Sequence, residues 1–288
     1  MSDRIRLTAG DLMLELLPAL GGSVTRFDLG DRPLLRSAPA DVTDVGDTGC
    51  WPLVPFVNRV RDGRFSFRGR EVQLSPNLPP QKHPLHGQGW RGCWRIDSVA
   101  PAEAHLAFDH APGEWPWAYT ARQVFTLDPD GLTITLTCTN DADTPMPCGL
   151  GLHPWFPCDA DTVLSAPVAG VWTVDDEVMP VETRPATGRY ALQHRRISGA
   201  DLDNGFYGWN GRAAITSPGF ARLKMSAPVT RFQVYAPPSG EVFVAEPVTH
   251  ANAALNAPEA EWRALGLRVL DPGETMSLTT RFAVTPAS

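Results

Sequence analysis

Two histidines, an arginine and two carboxylates stand on short motifs rich in glycine, proline and aromatic residues. The motifs are Asn58-Arg59, His86-Gly87, Gly151-Leu152-His153-Pro154-Trp155-Phe156, Leu202-Asp203-Asn204-Gly205-Phe206 and Glu246-Pro247. An imidazole and a carboxylate held together can take a proton from one oxygen and give one to another near neutral pH. A fixed guanidinium adds five hydrogen-bond donors. Each motif taken alone also fits a bland role. Arg59 could pair with any carboxylate, His86 could be an ordinary loop histidine, and His153 could be a core histidine bonded to backbone. Asp203 and Asn204 fit a turn, in which the carboxylate caps local backbone. Glu246 is the hardest to explain blandly, because Val242-Phe243-Val244-Ala245 is an apolar run. A glutamate at the end of such a run is rare unless it is paired or functional. Pro247 is expected to end that strand and to leave Glu246 at the rim of a site.

The elements that must position these residues read as strands. In Leu132 to Thr139, apolar residues alternate with threonines, which buries one face and leaves the other polar. Asp128-Pro129-Asp130-Gly131 is a turn ahead of it. Arg64 to Arg68 alternates, turns at Gly69 and returns through Glu71 to Leu74, which is a hairpin pattern. Further strands are expected at Arg4 to Thr8, Gln123 to Leu127, Thr230 to Tyr235, Glu241 to Ala245 and Met276 to Val284. One short helix is expected to open at Pro258-Glu259. The 28 prolines and 25 glycines divide the rest into short segments. No strand–helix alternation, repeat or low-complexity linker is visible. The expectation is an all-β chain: one large antiparallel β-sandwich over residues 1–288, with long loops carrying the functional groups.

Composition narrows the partners. The formal net charge is −7, with lysine only at Lys82 and Lys224, so a nucleic-acid backbone is not an expected partner. The N-terminal segment carries Asp3, Arg4, Arg6, Asp11 and Glu15 and lacks the apolar stretch of a signal peptide. No window nears the ~20 apolar residues that span a bilayer. A soluble, cytoplasmic protein is expected, with no membrane partner. The odd set Cys50, Cys93, Cys138, Cys148 and Cys158 contains no CxxC and suits reduced thiols. Cys148, His153 and Cys158 are evenly spaced, but Pro154 and Pro157 intervene and no common zinc module has this spacing. No metal site is expected.

Taken in order, these residues resemble the aldose 1-epimerase, or galactose mutarotase, family, over nearly the whole chain. Asn58-Arg59 followed by Gly63-Arg64-Phe65 is similar to the family's N-R-x-x-x-G-x-F element. Leu85-His86-Gly87 is similar to its L-H-G element, and Gly151 to Phe156 to its G-x-H-P-Y-F element. The Asp203 and Glu246 motifs resemble its later acidic elements. The resemblance implies a many-stranded β-sandwich with an open sugar cleft and an isomerase activity on a free aldose. It implies Glu246 as general base at the anomeric hydroxyl and His153 as general acid at the ring oxygen. It implies His86 and Arg59 around the ring oxygen and anomeric region, and Asp203 on ring hydroxyls; Asn58 beside Arg59, and Trp155 as an aromatic platform for a sugar face, are further expected substrate-binding residues. The implied reaction needs proton transfers alone, so no cofactor is expected. Arg59 is expected to lie near Glu246 and keep it charged. Trp155 stands where the family commonly has Tyr, and Gln88 stands where a second Gly is usual, so galactose is not carried over as substrate. Two alternatives remain: a hexose-6-phosphate 1-epimerase, for which Lys82, Arg61, Arg91 and Arg231 would have to converge, and a non-catalytic carbohydrate-binding protein on the same fold.

Overall fold

The structure, a computed structural model, describes residues 4–287; Asp3 lies outside the described residues. Two large antiparallel sheets form its body. The first has nine strands and is built around Tyr119–Asp128, Gly131–Asn140 and Thr275–Pro286. The second has eight, and its centre is Leu202–Tyr207, Arg231–Ala236 and Val242–Val248. A four-stranded N-terminal sheet begins at Ile5–Ala9. One large buried cluster contains residues from Ile5 to Phe282 and draws on all three.

The period-two pattern is realised directly in Gly131–Asn140. Leu132, Ile134, Leu136 and Cys138 are buried, and the alternate threonines face a polar layer. There Thr135 and Thr279 hydroxyls lie 3.0 Å apart, and Thr139 and Thr275 2.8 Å apart. The hairpin Arg64–Phe67 with Arg70–Gln73 turns on Arg68 and Gly69, both with positive φ. A two-residue turn of this kind matches the twist of the flanking strands. The short helix is Glu259–Leu265, after Pro258. No helix among the described residues is long and apolar enough to cross a membrane.

Two expectations about local structure are corrected. Glu246 does not end its strand: Val242–Val248 runs on through it, with Phe232 opposite Pro247 and Arg231 opposite Val248. The proline is tolerated because the neighbour on the other side is interrupted, pairing as Gly151 with Val248 and again as Trp155 with Val244. Asp203 does not sit before a turn. It lies inside Leu202–Tyr207, opposite Tyr235. Burial of Leu202, Asn204 and Phe206 on one face outweighs the turn preference of Asp-Asn-Gly, and the Asn204 amide donates to Trp172 O at 2.9 Å.

This register builds one wall of a site. Gln233 faces Glu246 and Asp203 faces Tyr235 across neighbouring strands. Side chains repeat every second residue and directly opposite positions share a face. Asp203, Gln233, Tyr235 and Glu246 therefore project from one side of the eight-stranded sheet.

Candidate active site

The sheet-borne residues line a cavity of about 360 Å³ together with Asn58, Arg59, His86, His153 and Trp155. All seven side chains expected from the sequence thus meet at one place, although up to 188 positions separate them (Asn58 to Glu246).

His153 enters where the strand Gly151–Leu152 breaks before Trp155–Pro157. Its backbone N–H donates to Trp51 O at 3.0 Å, and its imidazole stacks on the Trp51 indole with ring centroids 4.2 Å apart and planes 18° apart. The stack fixes the ring's plane. Its Nε2 then lies 3.3 Å from Glu246 Oε1. Glu246 is 3% exposed, and its second oxygen, Oε2, has no partner.

His86 is delivered by a tight loop in which Asn58, His86 and Gly87 all have positive φ. The two segments bond reciprocally: His86 N–H donates to Asn58 O at 3.0 Å, and Asn58 N–H donates to His86 Nδ1 at 3.1 Å. Because Nδ1 accepts, the neutral ring carries its proton on Nε2. Gly87 is required twice over, since its φ is +71° and a Cβ there would lie 2.2 Å from Val54 O. The His86 and His153 rings meet edge to face at 5.4 Å.

Arg59 Nη2 lies 3.5 Å from Asp203 Oδ2, and Gln233 Nε2 donates to Asp203 Oδ1 at 2.9 Å. Trp155 closes the aromatic side. It meets Tyr235 edge-on at 5.8 Å, and the Arg36 guanidinium lies 4.4 Å over its ring.

Comparisons with known proteins place the whole chain in a family. A sequence model described as aldose 1-epimerase matches residues 3–283. The chain belongs to the aldose 1-epimerase family. It is 34% identical over 283 residues to the uncharacterized protein YphB of Escherichia coli K12, covering 93% of this chain and 94% of that one. A provisional aldose 1-epimerase of Escherichia coli K12, solved as a crystal structure, superposes with a TM-score of 0.89 at 30% identity, over 99% of both chains. A galactose mutarotase-like protein from Clostridium acetobutylicum shares the fold at a TM-score of 0.86 and 18% identity, covering 99% of this chain and 95% of that one.

In this aldose 1-epimerase family member, burial governs the charges. It pushes the Glu246 carboxyl well above the usual carboxylate range, with Asp203 adding to the rise. It pushes His153 down to about 3 and His86 well below its ordinary value. Arg59 opposes the rise at Glu246 only weakly, because Asp203 engages it. Arg59 was expected to hold Glu246 charged, but its ion-pair contact is with Asp203, and burial favours the neutral forms of the Glu246 carboxyl and the His153 imidazole. Asp203 is raised as well, by burial, against the pull of Arg59 and Gln233.

The evenly spaced Cys148, His153 and Cys158 do not converge. Cys148 lies in the core, and the Cys158 thiol donates to Gly240 O at 3.2 Å. Among the described residues no group of three His, Cys, Asp or Glu is placed to hold a metal. Sequence reasoning missed Trp51, Gln233 and Tyr235, which also line the cavity. The available signal was Arg231, Gln233 and Tyr235 alternating along a strand whose other residues are apolar.

Proposed function

We propose that this protein is an aldose 1-epimerase that interconverts the α and β anomers of a free, unphosphorylated aldose. The observation that carries the reading is the 3.3 Å contact between the buried His153 and Glu246 side chains on the cavity wall. A cavity of about 360 Å³ lies at the low end for small-molecule sites, which suits one sugar ring.

Opening a hemiacetal ring moves one proton off the C1 hydroxyl and one onto the ring oxygen. Rotation about C1–C2 and closure on the other carbonyl face reverse both transfers. The pair therefore needs to hold one proton at every stage, and burial favours that occupancy. A modest approach of Oε1 and Nε2 from their 3.3 Å separation lets the proton pass from Glu246 to His153. The carboxylate then accepts from the C1 hydroxyl as the imidazolium protonates the ring oxygen. His86 Nε2–H serves as a fixed donor toward the substrate, since its Nδ1 is committed to Asn58 N–H. Asp203, steadied by Arg59 and Gln233, accepts from ring hydroxyls. The aromatic walls Trp51, Trp90 and Trp155 suit the apolar faces of a pyranose.

The placement of the cations supports a neutral substrate. Among the described residues Arg59 is the only Lys or Arg lining the cavity, and it faces Asp203. Lys82 pairs with Asp62 and Glu177, and Arg61 with Asp175. Arg91 donates to Asn77 O, and Arg231 to Ala264 O. None of the four lines the cavity, so a phosphate dianion would meet no cationic cluster. The retained acid–base pair argues against a purely sugar-binding role. Five unpaired cysteines favour a reducing, cytoplasmic setting. Polarimetry on α-glucose, α-galactose, arabinose and xylose, with hexose-6-phosphates run alongside at two salt concentrations, tests the reading. The expected result is a higher kcat/KM for free aldoses and little salt dependence. A preference for the 6-phosphate that weakens as salt rises would overturn it.

A further inference from the structure

Behind the cavity lies a second layer of polar side chains that touch no part of it. His250 is 1% exposed and sits four residues after Glu246. Its Nε2 accepts from Val57 N–H at 3.0 Å, and its Nδ1 lies 2.8 Å from Ala251 O. The first bond makes Nε2 an acceptor, so Nδ1 carries the proton and donates to the carbonyl. Asn252 Oδ1 accepts from Arg59 N–H at 3.0 Å, while its amide donates to Val178 O at 2.8 Å. Ala253 N–H donates to Arg59 O at 3.2 Å. The N–H between these two, that of Asn58, goes to His86.

Three successive backbone N–H groups of a left-handed turn therefore end on three side chains, and the turn presents Arg59 and holds His86. The His250 ring also presses on the segment that carries His153. A Cβ on Gly149 would lie 2.0 Å from His250 Cδ2, and Leu150 N–H donates to the neighbouring Thr249 hydroxyl at 2.9 Å. One imidazole is thus in contact with the segments leading to Arg59 and His153 and continues the chain from Glu246.

We propose that His250 and Asn252 are positioning residues that set the Val57–Arg59 turn, and through it His86 and Arg59, against the His153–Glu246 pair. The neutral state this needs is favoured by burial, which lowers His250 to about 4. A misplacement of about 1 Å in such a site can slow a reaction by on the order of 10²-fold. A positioning defect falls on kcat more than on KM, because the transition state depends on alignment more than the bound sugar does.

The proposal rests on the aldose 1-epimerase reading for its kinetic arm, so the experiment has two arms. In the full-length protein, His250→Leu removes the acceptor, His250→Gln restores an amide oxygen near the Nε2 position, and Asn252→Ala alters a half-buried residue that a stable fold tolerates more readily. Amide hydrogen exchange at Val57, Asn58 and, for Asn252→Ala, Arg59 is read by NMR, independently of any activity. Exchange there is expected to accelerate at least 10-fold in His250→Leu and to stay near wild type in His250→Gln. Anomer interconversion is expected to lose at least 10-fold in kcat in His250→Leu and Asn252→Ala with KM within about 3-fold, and His250→Gln is expected to recover most of the rate. Unchanged exchange and kcat in folded Asn252→Ala and His250→Leu would overturn the proposal, as would equal losses in His250→Gln and His250→Leu. A wild-type protein inactive on every aldose would refute the functional reading alone and leave the exchange arm to decide the positioning.

Discussion

The buried imidazoles make a quantitative demand on stability. Folding holds His250 neutral down to about pH 4, whereas an unfolded histidine takes up its proton near 6.5. Its folded pKa is lowered, so the unfolded state binds more protons as the pH falls. Stability is therefore lost between pH 6.5 and 4, at roughly 1.4 kcal/mol per pH unit and ~3 kcal/mol in all. His153 behaves differently, although it is depressed further, to about 3. Glu246, raised by burial in the folded state, retains a proton that the unfolded chain gives up, and so opposes the loss from His153. Asp28 and Asp203, raised by burial, oppose the loss at lower pH. A comparison of wild type with His250→Gln removes all these shared terms. Urea unfolding at pH 7, 6, 5 and 4.5 is expected to show the wild-type advantage shrinking by ~2 kcal/mol from pH 6.5 to 5. Parallel stability curves for the two proteins would mean that His250 is protonated, or exposed to water, in the folded state, and would refute the reasoning.

Two further substitutions bear on the site. His153→Asn is expected to cut turnover while sugar binding, followed by calorimetry or tryptophan fluorescence, survives; loss of affinity with turnover intact would make His153 a binding residue. Gly149→Ala is expected to destabilise the protein by ~1–3 kcal/mol in urea unfolding, because the new methyl would meet the His250 ring at 2.0 Å and neither side has room to yield.

The parts legible in the sequence were those in which local pattern and tertiary role coincide. The alternation from Leu132 to Thr139 names a strand because one face is buried and one is polar. His86-Gly87 and Gly151 to Phe156 could be recognised because glycines and a proline shape the backbone around the reactive group. Glu246 was visible as a charge in an apolar run, yet its backbone was misread. The break opposite Pro247 lies on another strand, about a hundred residues earlier in the chain. Gln233 and Tyr235 were missed because single polar residues on a strand carry no motif; their meaning comes from the register that sets them beside Glu246 and Asp203. His250 was invisible for a similar reason. Its partner Val57 is 193 positions away, and Thr249-His250-Ala251 has no local signature. The pull of burial on Glu246 could not be weighed against the nearby cation, because depth of burial comes only from the packed structure.

The central claim is that Glu246 and His153 pass one proton between the C1 hydroxyl and the ring oxygen of a free aldose. Exchange NMR on an equilibrium mixture of α- and β-aldose measures this directly, since magnetisation moves between the two H1 resonances only when the ring opens and closes. The account predicts strong exchange with catalytic amounts of wild-type protein and a loss of on the order of 10²-fold or more with folded Glu246→Gln. Near-wild-type exchange in a well-folded Glu246→Gln protein would contradict it.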